Sequence, residues 1–332
     1  MMLAVNLAVV VILTMLAFAS PGAGIAAALA LGRHTFPDRS DPLVAAAPLI
    51  LAAATLSLYQ GGRRIRPTAA SILGASLVGL VVLTGYLSSS GATNADVALL
   101  AQDKTFFLLA VSVPLLLLAP SLDHRGVRRD FLLTLVLIPM LLVMLTIATG
   151  STDATSGRSA ALGGGPITLA TAAGFAILIL VFHDDHILPS PFTPFSKPFR
   201  VAGSLVLLLG IVMTGSRQPL LSLMVVIGLA AFTGASRSSL ALSAAEMRRR
   251  VRSVRVTSAA LAVTGGLGLA ALVTARPDDR LALLINPTGE LQRSRVPTWE
   301  GGIERILSSG LFGHGFGSFR AYPIAGQRLS YP

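Results

Sequence analysis

The sequence predicts an all-α protein, a polytopic bundle of transmembrane helices, and three observations carry that reading. Hydrophobic residues make up 53% of the 332-residue chain and charged residues only 12%, whereas an ordinary soluble domain is about a quarter charged. A water-facing surface cannot be built from so few charges. The apolar residues also gather in runs of roughly 17 to 25, the length that crosses about 30 Å of hydrocarbon at a helical rise of about 1.5 Å per residue. Third, the basic residues are concentrated in every second connection between those runs.

Broken at charges and at Gly/Pro clusters, the runs give about nine expected spans. The first covers 2–20, with an extension past Pro21 and Gly22 to Leu31 left open. It has no positive leader and further spans follow, so it reads as a retained anchor and not as a cleaved signal. The others lie at 42–60, 68–88, 104–120, 131–150, 166–183, 199–215, 219–235 and 256–275. Residues 1–275 therefore read as one transmembrane bundle. The remaining polar stretch, 276–332, reads as an extracytoplasmic loop segment, incomplete at its C-terminal end.

The formal net charge of +11 raises the possibility of a nucleic-acid partner, which the positions of the charges exclude. Arg63, Arg64 and Arg66, then Arg125, Arg128 and Arg129, then Lys197 and Arg200, then Arg237, Arg248, Arg249, Arg250, Arg252 and Arg255 occupy alternate loops and total 14. The intervening loops hold Arg33, Arg39, Lys104, Arg158 and Arg217, a total of 5. By the positive-inside rule the first set is cytoplasmic, which places the N-terminus inside and residues 276–332 outside. Anionic membrane lipid is a natural partner for the basic run at 248–255. With no cysteine in the chain, disulfides and thiolate metal sites are excluded.

Three arginines fall on the outer face. Arg158 precedes a Gly/Pro turn, Arg217 lies in Thr-Gly-Ser-Arg-Gln-Pro, and Arg295 lies in Arg-Val-Pro-Thr-Trp. Arg217 sits in a short turn between two apolar runs, at the membrane boundary, where a snorkelling anchor is the bland interpretation. Ser216, however, is expected to cap the following helix, and Pro219 suits its first turn. The free N–H groups and the guanidinium would then face one place and form an anion site. Residues 297–309 put Trp299, Ile303, Ile306 and Leu307 on one helical face, an amphipathic helix that either lies on the outer leaflet or packs on the bundle. Gly313, Gly315 and Gly317, in Gly-His-Gly-Phe-Gly, read as a tight turn where backbone approaches something closely; with no strand before it, a dinucleotide fingerprint fails. His314 reads as a turn residue. His183, Asp184, Asp185 and His186 have the side chains of a metal cluster, yet lie in a Pro-rich cytoplasmic connector and read as a solvated loop.

Taken together, the Thr-Gly-Ser-Arg turn ending at Arg217, the basic loop and further span after it, Arg295 with Trp299 four residues on, and Leu-Phe-Gly-His-Gly-Phe-Gly-Ser-Phe resemble the O-antigen ligase and O-antigen polymerase family of bacterial envelope proteins. The likeness is specific over 155–332 and generic before it. It implies a metal-independent glycosyltransferase of the bacterial cytoplasmic membrane, with no cofactor. The implied partners are an undecaprenyl-pyrophosphate-linked oligosaccharide donor and a glycan or lipid acceptor. Arg217 and Arg295, with Arg158, are the residues matching the family's pyrophosphate-binding arginines; Ser216, Trp299, Gly313, Gly315 and Gly317 support them. The family's catalytic histidine is expected beyond Tyr331-Pro332, so the 332 residues alone are expected to be inactive.

Two other readings compete. A transporter or flippase for an anionic lipid-linked substrate would use the same arginines, but such proteins usually carry paired broken helices in two related halves, and no such symmetry is visible. A metal-dependent glycosyltransferase would use acids of the first outer loop, where Asp38 and Asp41 more simply balance Arg33 and Arg39. The proposed topology makes a direct prediction. Cysteines introduced at Ser159 and Ser294 label with an impermeant thiol reagent in intact cells whose outer barrier, where present, is permeabilised, and one at Ser253 does not; the reverse pattern overturns it.

Overall fold

The structure, a computed structural model, describes residues 2–32, 42–62, 66–89, 102, 105–152, 166–183, 188, 195–233, 300, 302–304 and 307. Its elements are helical: α1 Met2–Ala19, α2 Pro21–Gly32, α3 Pro42–Gln60 and α4 Ala69–Ser89; α5 over Thr105–Asp123; then α6 Arg125–Thr149, α7 Pro166–Phe182, α8 Ser196–Met213 and α9 Arg217–Thr233. Eight of the nine expected spans thus coincide with a helix, within a few residues, and the ninth, 256–275, lies outside the described residues. Among the described residues, the Ala69–Tyr86 part of α4, α5, α6 and α8 are long and apolar enough to cross a membrane. These four mark the chain as a helical membrane protein.

Backbone contacts divide the chain into two units, with α1–α5 in the first and α6, from Arg129, through α9 in the second. In the first unit, the open question at Pro21 resolves as a break. Pro21 has no N–H to continue α1 and suits the first position of a new helix. The N–H of Ser20 still donates to Leu16 O at 2.7 Å, and that of Gly24 to Ser20 O at 3.0 Å. Ser20 caps α2, its Oγ accepting the Ala23 N–H at 3.4 Å. The bend is sharp. A Cβ added at Gly24 would lie 2.8 Å from Ala17 Cα and 3.3 Å from Ala54 Cβ, although residues 17 and 24 would stand about 10 Å apart along a continuous helix. Gly22–Ala28 are buried without interruption, and α2 packs on both α1 and α3. Its 12 residues rise about 18 Å, short of the roughly 30 Å hydrocarbon core.

The fifth helix is irregular for a stated cause. Pro114 cannot donate to the carbonyl one turn back, and the preceding turn, Leu108–Ser112, widens to π geometry, with the Val113 N–H bonding Leu108 O. A short α segment, Val113–Leu118, and a tight 3-10 turn, Ala119–Asp123, complete the element.

In the second unit, α7 is the central helix, packed on α8 and α9, and its face of Ala170, Ala173, Ala176, Ile177 and Leu180 meets Val136 of α6, Leu207 and Ile211 of α8, and Leu220 of α9. The crossing of α6 and α8 is close because residue 210 has no side chain: a Cβ there would come within 2.9 Å of Val143 Cγ1. Outward faces are apolar and uncovered by protein, as at Leu141, Met144, Val201 and Val225, the pattern of a surface facing lipid.

The close approach at Gly24 predicts that Gly24→Ala destabilises the protein by about 1–3 kcal/mol, the usual cost of overpacking. Gly79→Ala in α4, where an added Cβ meets nothing within 4 Å, is neutral or stabilising by up to about 1 kcal/mol. Thermal unfolding in detergent, followed by circular dichroism, distinguishes the two; equal effects would contradict the helix crossing.

Candidate functional site

The connection between α8 and α9 is three residues long, Thr214-Gly215-Ser216, and its conformation follows from their side chains. Helix α8 ends with the N–H of Thr214 on Gly210 O at 3.2 Å and that of Gly215 on Val212 O at 3.0 Å. Gly215 has φ +61°, the left-handed conformation that commonly terminates helices and that residues with a Cβ disfavour. The Thr214 hydroxyl donates to Ile211 O at 2.7 Å and accepts the Ser216 N–H at 3.3 Å. It therefore ties the end of one helix to the start of the next. The turn is held from both sides by Ile211 and Leu220, both in the core of this unit. Thr214 is 0% exposed and Ser216 4%.

Helix α9 begins at Arg217, so its backbone places Arg217 and Gln218 at the positive helix end. The N–H groups of both residues lack intrahelical acceptors by helix geometry. Pro219, third in the helix and buried, has no N–H to leave unpaired. The expectation that Ser216 caps this helix is corrected: its Oγ is buried and has no hydrogen-bond partner. Pro219 removes one of the two donors that such a cap can use. An N-cap hydroxyl accepts from the second or third helical N–H, and at the N-terminus of α4 Thr68 Oγ1 takes the third, that of Ser71, at 3.2 Å, as Ser20 does in α2. In α9 the third position is a proline. Pro219 is compatible with the first turn but removes the third donor, and the N–H of Gln218, the second, does not bond Ser216 Oγ. Thr214, not singled out from the sequence, is the residue that builds the turn, and a hydroxyl two residues before the N-cap was its only signal.

Of the other candidates, Arg158, Arg295, Trp299, Gly313, Gly315 and Gly317 lie outside the described residues, as does the side chain of Arg217. Within 297–309, Glu300, Gly302–Glu304 and Leu307 are helical, and Ile303 and Leu307 are 59% and 80% exposed. His183 closes α7: its N–H donates to Ile179 O at 2.9 Å, and its carbonyl accepts from Arg200 Nη2 of α8. That contact joins two helix ends. Asp184, Asp185 and His186 lie outside the described residues, and among the described residues no group of three potential metal ligands occurs.

Comparisons with protein-family models, curated proteins and solved structures returned no match.

The geometry of the turn predicts that Gly215→Ala lowers stability by about 1–2 kcal/mol, the cost of a left-handed residue with a Cβ, and that Gly215→Asn costs less, since Asn tolerates that region better. Chemical or thermal unfolding in detergent measures both. An Ala variant as stable as the parent would mean that the turn does not adopt this conformation.

Proposed function

We propose that the chain is part of a metal-independent membrane glycosyltransferase of the O-antigen ligase or polymerase kind, acting on undecaprenyl-pyrophosphate-linked glycan at the outer face of the bacterial cytoplasmic membrane. The observation that supports it best is the α8–α9 turn, where a short connection between two apolar helices sets Arg217 and two free backbone N–H groups at the positive end of α9. Such a helix end suits a phosphate oxyanion, and a guanidinium matches it with paired hydrogen bonds. Arg295, four residues before Trp299, and Arg158 are the other arginines that the resemblance assigns to pyrophosphate binding.

Pyrophosphate is already a good leaving group. The chemistry asked of the protein is to hold and neutralise it as the glycosidic bond to phosphate breaks, and to take the proton from the attacking acceptor hydroxyl. Arginines and helix N–H groups serve the first task. The second needs a general base, which by the resemblance is a histidine.

A transporter for an anionic lipid-linked substrate is the second reading. The observation on its side is α2, a short buried helix that starts at a break, the kind of discontinuous element transporters use. Against it, α6–α9 contain no counterpart to the break at Ser20–Pro21 among the described residues.

Tested in liposomes containing the protein expressed from its full reading frame, with EDTA present, Arg217→Lys is expected to lower glycan transfer about tenfold and Arg217→Ala about a hundredfold. This is the range for losing charge-assisted hydrogen bonds, with membrane levels of the protein unchanged. Full activity of both Arg217→Ala and Arg295→Ala would remove these residues from the site. Wild-type activity that disappears in EDTA and returns with Mg²⁺ or Mn²⁺ would favour the metal-dependent alternative, and movement of intact substrate across the bilayer without transfer would favour the transporter.

A further inference from the structure

From the unpartnered hydroxyl at the start of α9, we infer that Ser216 is a ligand-binding residue, its Oγ–H donating to an oxyanion of the pyrophosphate held at this helix end, and that it has no helix-capping role. The inference rests on the proposed pyrophosphate site. Two independent observations carry it. The first is the helix end itself: α9 is 17 residues long, and its first two N–H groups lack intrahelical acceptors. The second is the hydroxyl, 4% exposed as a residue and without any hydrogen-bond partner.

Several hydroxyls among the described residues are satisfied within their own helices, as Thr14 on Val10 O, Thr55 on Leu51 O and Thr146 on Leu142 O, each at 2.7 Å, whereas Thr105 Oγ1, at the first position of α5, is buried and unpartnered like that of Ser216. Ser204, also unpartnered, lies inside α8, where rotation about χ1 brings a carbonyl one turn back within reach. Ser216 lies outside the helix at the N-cap, where Pro219 has removed the N–H that its counterparts Ser20 and Thr68 use. A buried donor left unmade is costly, and in a native fold it calls for an explanation. An oxyanion at the positive end of α9 supplies the missing acceptor, with the N–H groups of Arg217 and Gln218 beside it. The hydroxyl is closed off from solvent in the conformation described, so binding is coupled to opening of the Thr214–Ser216 turn.

A cap and a ligand donor respond to Ser216→Ala with opposite signs. Removing a cap lowers stability; removing an unsatisfied buried hydroxyl leaves stability unchanged or raises it. The experiment places the full-length protein in phosphatidylcholine nanodiscs and measures thermal stability without ligand, then binding of inorganic pyrophosphate by calorimetry, for wild type, Ser216→Ala, Ser216→Thr and Arg217→Ala. The expected result is a ligand-free melting temperature for Ser216→Ala at or above wild type, pyrophosphate affinity about tenfold weaker, and recovery of affinity in Ser216→Thr. Affinity unchanged in Ser216→Ala, or a lowered melting temperature with no rescue by Ser216→Thr, overturns the role of Ser216 while leaving the site. Absence of pyrophosphate binding by wild type overturns the site as well. Loss of pyrophosphate binding when phosphatidylglycerol replaces phosphatidylcholine would assign the oxyanion to a phospholipid headgroup and overturn pyrophosphate as its source.

Discussion

Backbone polar groups inside a bilayer have no water to bond, so each must find its partner within the protein. The rest of this structure is arranged around that constraint. Continuous helices meet it automatically, and the informative places are the interruptions. Where Pro21 ends α1, the carbonyl of Phe18 in its last turn accepts from Ser57 Oγ of α3 at 2.7 Å, so the hydroxyl that satisfies this helix end also holds two helices together. Where Pro114 withholds an N–H, a π turn redistributes the bonds within the same helix. Between α8 and α9, one threonine hydroxyl serves both helix ends. Each of these groups is satisfied by a hydroxyl or a changed turn, and none needs a charge in the bilayer.

Helices in lipid gain little from the hydrophobic effect when they associate, because acyl chains are as apolar as leucine; close packing has to hold them together. The small residues follow from this. Gly24 against Ala17 and Ala54, and Gly210 against Val143, mark crossings that any side chain would separate. The α2 helix, rich in alanine and buried along Gly22–Ala28, packs on both α1 and α3, which also pack on each other, because its small side chains allow close approach. Helix α4 is the contrast: only 11% of its span is buried in protein, and Ile72, Leu73, Leu77 and Leu80 face outward. Its sequence, with larger apolar residues throughout, is suited to lipid.

How far the sequence reports this structure depends on the kind of signal. Span positions were legible because bilayer thickness imposes a length on apolar runs, and no packing detail can override it; hence the agreement at α3, α4 and α7. The start of α2 was ambiguous, since a proline in an apolar run reads equally as a kink or a break. What decided it was Gly24, whose missing Cβ permits the fold-back onto Ala17, a tertiary fact with no periodic signature. The irregular α5 was hidden for the same reason. At the candidate site, the position of Arg217 at a helix start was legible from the turn residues around it. The behaviour of Ser216 was not legible, because a serine before a helix is normally a cap, and whether the one remaining donor, the N–H of Gln218, reaches it is set by the geometry of the turn. Arg158, Arg295, Trp299 and the glycines of 313–317 belong to the resemblance and lie outside the described residues.

The order of residues in Ser-Arg-Gln-Pro has a consequence that composition alone does not reveal. A helix start with free N–H groups and a neighbouring cation attracts anions, but an N-cap hydroxyl normally competes with them by accepting from the same N–H groups. Had residue 219 been able to donate, Ser216 would have had an acceptor's role inside the protein and the helix end would have been partly satisfied. With proline there, the third donor is missing, and the N–H of Gln218 does not bond Ser216 Oγ either; the hydroxyl proton, which capping would not consume, is without an acceptor. The penalty for one unmade buried hydrogen bond is about 1–3 kcal/mol. That is tolerable in a fold whose other interruptions, at Phe18, Leu108 and Thr214, are repaired within the protein. Of the buried hydroxyls without a partner among the described residues, at Thr105, Ser204 and Ser216, the one at Ser216 stands at a helix terminus beside an arginine, where the helix dipole also favours an added anionic acceptor.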